Sequence, residues 1–185
     1  MSDKPITREC NGCTACCDGW LQTNVDGCEI GAGKPCKHIS KTGCTIYATR
    51  PFDPCVGFRC GWLLNDSMPD WMKPNVARVI IKPGAIWERP GSRVRVNLAT
   101  AVGPRIPGKT IQWLRNYARN ERCDFLCHEH VREGKTYTGA LSYFGAGSPE
   151  FEQEVENWKA SGYDFTVTAS NSTMVIGDKF FKQHR

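Results

Sequence analysis

Four of the eight residues in CNGCTACC, positions 10 to 17, are cysteine, and no large aliphatic residue stands among them. Such a stretch cannot build a hydrophobic core of its own, so something other than apolar burial must hold it. The chain carries eleven cysteines, and nine of them lie between Cys10 and Cys60. Over residues 1 to 66 the apolar supply is Trp20, Leu21, Ile30, Ile39, Ile46, Tyr47, Phe52, Phe58, Trp62 and Leu63, thin for independent stability and spread among turn residues such as DGCEIGAGKPC. A covalent or metal staple is therefore expected. The opening MSDKPITREC has charges, a proline and no apolar run, so no signal-peptide pattern is read there. No later segment approaches the roughly 20 apolar residues of a membrane span. The expectation is a soluble cytoplasmic protein, and in a reducing compartment clustered thiols hold metal rather than disulfides.

Thiolate is a soft, anionic ligand suited to zinc or iron, and two cysteines two residues apart can turn back onto one ion. Cys10, Cys13 and Cys16 form a double CxxC run, Cys17 follows directly, and Cys28, Cys36, Cys44, Cys55 and Cys60 supply distant ligands. One site needs four ligands, so nine cysteines make either a second site or a set of spares; with His38 nearby they could close two zinc tetrahedra. An iron-sulfur cluster would also need four cysteines, and CxxCxxC is a ferredoxin spacing, although here no further cysteine follows three residues on with a proline behind it.

The segments CNGCTACC, PCKHIS, GCTIYATRPFDPC and FRCGW resemble the YkgJ-like, or CxxCxxCC, cysteine-cluster family. The shared positions are Cys10, Cys13, Cys16, Cys17, Cys36, Cys44, Ile46, Tyr47, Arg50, Pro51, Cys55, Phe58 and Cys60, within residues 8 to 64. The resemblance implies chelation of zinc or iron and leaves Cys28 as an extra; it implies no particular reaction. A related cluster accompanies flagellin lysine methylases, where it is thought to hold iron and sulfur, but this chain has no glycine-rich strand-to-helix turn for a nucleotide-like methyl donor. Within the motif, Tyr47 is expected to pack beneath the module and Arg50 to pair with a local acid, the alternative being that Arg50 offsets thiolate charge.

Beyond residue 66 the pattern changes. NVARVIIKP (75 to 83) and SRVRVNLA (92 to 99) read as strands, KTIQWLRNYARN as a helix with Ile111, Leu114 and Ala118 on one stripe, and CDFLCHEHVREGKTYTGALSYF as a hairpin turning at Glu133-Gly134. SPEFEQEVENWKASG has a capping Ser148, Pro149 at the first helical position, early glutamates and Gly162 as a stop. A last hairpin is read around Asn171. In the first third, TIYATRP and RCGWLL read as single turns. The fold class is α+β: an irregular, metal-stapled cysteine module over residues 1 to 66, then a small α+β unit with antiparallel strands over residues 67 to 185, with a break near NDSMPDWMKP. Cys123 and Cys127, beside His128 and His130, read as strand residues whose thiols share one face.

Two further features compete for a role. GPRIPGKT (Gly103 to Thr110) matches the phosphate-loop pattern between a strand and a helix, but Pro104 and Pro107 remove backbone N–H groups that such a loop needs, so a structural turn is favoured. The net charge of +5 falls wholly in residues 67 to 185, and residues 73 to 122 hold eleven Lys+Arg against Glu88 and Glu121. Arg115, Arg119 and Arg122, with Trp113 and Tyr117 beside them, make an acidic partner or nucleic acid one reading and a solvated face the other. The function expected is metal binding through the cysteine cluster, by zinc or an iron-sulfur cluster. The alternative is an iron-sulfur enzyme or accessory of protein modification that transfers electrons. No catalytic residues are assignable.

Overall fold

The computed structural model describes residues 8–10, 12–89, 91–162 and 166–168. Its first third is built of short pieces: a wide helical turn at Cys16–Trp20, a hairpin of β1 (Thr23–Val25) and β2 (Cys28–Ile30), a second of β3 (Ile39–Ser40) and β4 (Gly43–Cys44), another turn at Phe52–Val56, and the one-turn helix α1 (Gly61–Leu64). Asp26 and Gly27 close the first hairpin with both residues at positive φ, the backbone that a tight two-residue connection demands. Gly19, at φ 96°, lets the Cys16–Trp20 turn lie against that hairpin, because a Cβ there would run into the Gly31 carbonyl. TIYATRP forms the expected turn and RCGWLL becomes α1.

The larger unit contains a 3-residue turn at Asp70–Met72, α2 (Pro74–Ala77), β5 (Val79–Arg89), β6 (Ser92–Ala101), α3 (Gly108–Glu121), β7 (Phe125–Glu133), β8 (Thr136–Ala146), α4 (Pro149–Ala160) and β9 (Thr166–Thr168). Strands β5 to β9 form one sheet in the order β8-β7-β6-β5-β9. β5–β6, β7–β8 and β5–β9 are antiparallel, so the α+β reading holds. β6 and β7, however, run parallel. They are joined through α3, and parallel neighbours need a connection long enough to hold such a helix.

The hairpin turn after Glu133 and the Ser148-capped helix stand where the pattern puts them, with Phe151 N–H donating to Ser148 Oγ at 3.2 Å. The strand read over 75 to 83 does not. Pro74 instead opens a helical turn, and the strand starts at Val79 and runs on to Arg89. It passes Pro83-Gly84 through a register shift between Lys82 and Ala85, where a missing N–H and a positive φ fit a bulge. The hairpin read around Asn171 lies outside the described residues. Among the described residues no helix is long and apolar enough to cross a membrane.

Alternation along the strands divides the core into two layers. Phe125 and Cys127 join Val79, Ile81, Ala99 and Ala101 in one cluster, closed by Leu114 and Ala118 of α3. Leu126, on the opposite face of β7, joins Trp87, Leu98 and Tyr143 in the other, closed by Phe151 and Val155 of α4. The first cluster continues into the cysteine module through Ala15, Leu21, Cys60 and Trp62, and into NDSMPDWMKP through Met68 and Met72. Two residues of the stretch read as a break, Met68 and Met72, are therefore buried in this core. Arg8 fastens it further, donating to the carbonyl oxygens of Trp62, Asn65, Asp66 and Met68 and stacking on the Trp62 ring.

Candidate metal centre

Adjacent residues of a helical turn point in different directions, and Cys16 and Cys17 use this to face different neighbours. Cys13 and Cys16 pack with buried Cys60 at the margin of the sheet core, beside Ala15 and Trp62. Cys10 is tied to them by the turn in which Cys13 N–H donates to the Cys10 carbonyl at 2.9 Å. Cys60 is brought in by α1, whose Gly61 lies so close to Ile81 that a Cβ would stand 2.9 Å from Ile81 Cγ2. That contact fixes the end of the module to strand β5.

Cys17 goes the other way. It packs with Cys36 and Cys55 against Val25 and Ile30 of the first hairpin, in a separate small apolar cluster. Cys36 N–H donates to the Cys17 carbonyl at 2.8 Å, and Ile39 N–H donates to Cys36, which leads the chain into β3. Ile39 is paired in register with Cys44 on β4. Cys13, Cys16 and Cys60, with Cys10 beside them in the chain, thus lie in one neighbourhood, and Cys17, Cys36 and Cys55, with Cys44 reached through Ile39, in another.

The electrostatics follow the same neighbourhoods, except that Cys17 also acts on its chain neighbour Cys16. Burial pushes the Cys16 thiol well above its ordinary range, with Cys60, Cys13, Cys17 and Cys10 adding repulsion in that order. Burial and then Cys36, Cys44 and Cys55 push Cys17 up to about 11. Cys10, Cys55 and Cys60 are also raised, chiefly by burial. Thiols crowded like this stay protonated unless a cation offsets their charge. Arg50 supplies part of that offset, since its charge lowers both Cys10 and Cys55 and so acts on both groups. Among the described residues it makes no ion pair with an acid; it lies 3.7 Å from the centre of the Tyr47 ring, and Tyr47 is 62 % exposed rather than packed beneath the module. The Tyr47 expectation fails: the ring holds the Arg50 guanidinium at the surface instead of entering the module.

Among the described residues, no three Cys, His, Asp or Glu side chains already form a metal-binding group. The donor chemistry nonetheless fits a soft metal: two groups of four free thiols, each gathered by backbone that comes from distant parts of the module. Cys28 stands apart from both, on β2, with its Sγ 3.9 Å from the Glu29 carbonyl. His38 lies with Nε2 3.5 Å from the Asp26 carboxylate.

Cys127 is a strand residue of β7 and fully buried, but Cys123 stands before β7, which begins at Phe125, so strand alternation does not place it; both thiols nonetheless pack with the cluster closed by α3. His128 and His130 point to a small cavity of about 20 Å³ beside Trp20 and Gln22, room for roughly one water. Burial lowers His128 to about 3, and His130 is lowered by burial while it sits 3.1 Å from the Ala101 carbonyl.

GPRIPGKT is committed to structure. Ile106 N–H donates to Glu129 Oε1 at 2.9 Å, the buried Thr110 hydroxyl donates to the Ala77 carbonyl at 2.7 Å, and Lys109 Nζ stands 4.5 Å from the centre of the Trp71 ring. The groups a phosphate would need are turned to other partners. The basic segment is likewise dispersed: Arg89 pairs with Glu154, Arg93 with Glu88 and Arg115 with Glu152. Trp113 is stacked on Tyr117 and edge-on to Trp71, and Tyr117 accepts a hydrogen bond from Asn65.

Sequence reasoning missed that Cys16 and Cys17 pack against different apolar clusters, and it missed the anchoring by Arg8. The CC dipeptide was the available signal for the first; a lone arginine 54 residues before its partner Trp62 carries none for the second. Comparison with known protein families, with curated proteins and with solved structures finds no match to this chain.

Proposed function

We propose that this protein binds metal through its N-terminal cysteines, as zinc or as an iron-sulfur cluster, with the sheet and its helices as scaffold. The observation that carries the reading is that eight of the nine thiols between Cys10 and Cys60 lie near other thiols in a segment whose own apolar content is small. The resemblance to the YkgJ-like cluster points the same way. When bound, the metal supplies cross-links between strands of chain that otherwise share few contacts. The chain's own part is to gather the thiols, give up their protons, and place Arg50 where it offsets the remaining negative charge.

Anaerobic purification followed by elemental analysis and absorption spectroscopy tests this. Bound zinc gives a colourless protein, whereas an iron-sulfur cluster gives a brown one and favours the electron-transfer alternative. A folded protein that contains neither metal, and takes up neither when reconstituted under reducing conditions, overturns the reading.

A further inference from the structure

Nine cysteines exceed the need of one centre, and the packing says how they divide. We infer that the module holds two separate four-thiolate centres, one of Cys10, Cys13, Cys16 and Cys60 and one of Cys17, Cys36, Cys44 and Cys55, with Cys28 in neither. This rests on the metal-binding reading above and deepens it. Three cysteines of each group belong to a different apolar cluster: Cys13, Cys16 and Cys60 to the sheet core with Trp62 and Ala15, and Cys17, Cys36 and Cys55 to the hairpin core of Val25 and Ile30. Cys10 joins the first through its turn to Cys13, and Cys44 the second through Ile39, which it pairs with and whose N–H donates to Cys36. Each is assembled by its own backbone links, Cys10 to Cys13 in one and Cys17 to Cys36 in the other.

The adjacent pair Cys16 and Cys17 is where the centres meet. A helical turn cannot aim two consecutive side chains at one point, so consecutive cysteines serve two ions more readily than one. Each group has the four soft donors of a closed tetrahedral site, which is the chemistry of a structural zinc or, with four thiolates around an inorganic core, of an iron-sulfur unit. Arg50 acts on Cys10 of one group and on Cys44 and Cys55 of the other, so one cation lies near two anionic centres. The first centre then welds the module to the sheet at α1, and the second closes the outer hairpins. Loss of the second should leave the first intact.

Cadmium serves as the probe, because it takes thiolate ligands as zinc does and is visible by NMR. The full-length protein loaded anaerobically with cadmium-113 should bind two equivalents and give two resonances, both in the four-thiolate range and without coupling between them. Cys17→Ser should remove one resonance and one equivalent, Cys16→Ser the other, and Cys28→Ser neither. Two cadmium resonances coupled through bridging sulfur would overturn the separation in favour of one binuclear cluster. A single equivalent in the unmodified protein would overturn the inference and leave metal binding standing; no cadmium uptake would also overturn the inference, and metal binding with it only if reconstitution with zinc and with iron and sulfide fails as well. Should the Cys16 variant fail to fold, the two uncoupled resonances and the Cys17 variant still decide.

Discussion

At the scale of single residues, the arrangement of Arg8 has the clearest consequence. Its guanidinium, 15 % exposed, donates to four carbonyl oxygens and reaches Asp70 at 3.3 Å, tying α1 to the segment that follows it. Arg8→Ala should destabilise the protein by about 2 kcal/mol, the scale of losing charge-assisted hydrogen bonds to a part-buried group. Arg8→Lys should recover only part of this, because an ammonium cannot span the fork. Urea midpoints read both; a loss below about 0.5 kcal/mol for Arg8→Ala would contradict the anchoring role. His128 sets a pH dependence. Its ordinary value of 6.5 is lowered to about 3 by burial, so above 6.5 folded and unfolded chains both hold it neutral. Between 6.5 and about 3 the unfolded chain gains a proton that the folded chain refuses, and stability falls with pH by up to about 1.4 kcal/mol per unit. His128→Leu should flatten the loss between pH 6.5 and 5 relative to the unmodified protein, and parallel curves would refute the assignment.

Among elements, α1 and the α3 entry turn decide how the parts join. Gly61 admits Ile81 where a methyl group would stand 2.9 Å from Cγ2 and 3.1 Å from Cβ. Gly61→Ala must push α1 off β5, at a cost of about 1 to 3 kcal/mol by analogy with other overpacked contacts. A thermal melt unchanged by the substitution would show that the module does not depend on this approach. In the first turn of α3, Thr110→Val removes a buried hydroxyl that donates to the Ala77 carbonyl and should cost about 1 kcal/mol. Lys109→Ala should alter nothing in calorimetry with ATP or GTP and magnesium, since the unmodified protein is expected to bind neither. Tight binding lost in Lys109→Ala would turn the structural turn back into a phosphate loop.

For the whole molecule, the sheet core and the cysteine module share one apolar cluster, yet the outer hairpins rest on only Val25, Ile30 and Cys36 as fully buried apolar residues of their own. Metal removal should therefore raise hydrogen exchange first in residues 17 to 56, next at Cys10–Cys16 and α1, and last in β5 to β8. Exchange that stayed unchanged through residue 60 after verified metal loss would show that apolar packing alone holds the module. Replacing Cys123 and Cys127 together by alanine should lower stability, because Cys127 is fully buried, while metal content stays the same.

The α+β class, the turn at Glu133-Gly134, α3 and α4 were readable from the chain, because periodicity and caps are local properties. Three things were not. Whether Pro74 begins a helix and Pro83 sits in a bulge depends on the neighbouring strand β6, whose register with β5 absorbs the extra residues. The parallel pairing of β6 and β7 depends on where α3 lands, which its apolar stripe does not say. The division of the cysteines is the third: spacing makes Cys10, Cys13, Cys16 and Cys17 one run, and only the separate burial of Cys60 against the sheet core and of Cys36 against Val25 and Ile30 pulls neighbouring thiols toward different partners. Sequence sets which atoms are available to a metal, and long-range packing sets which of them meet.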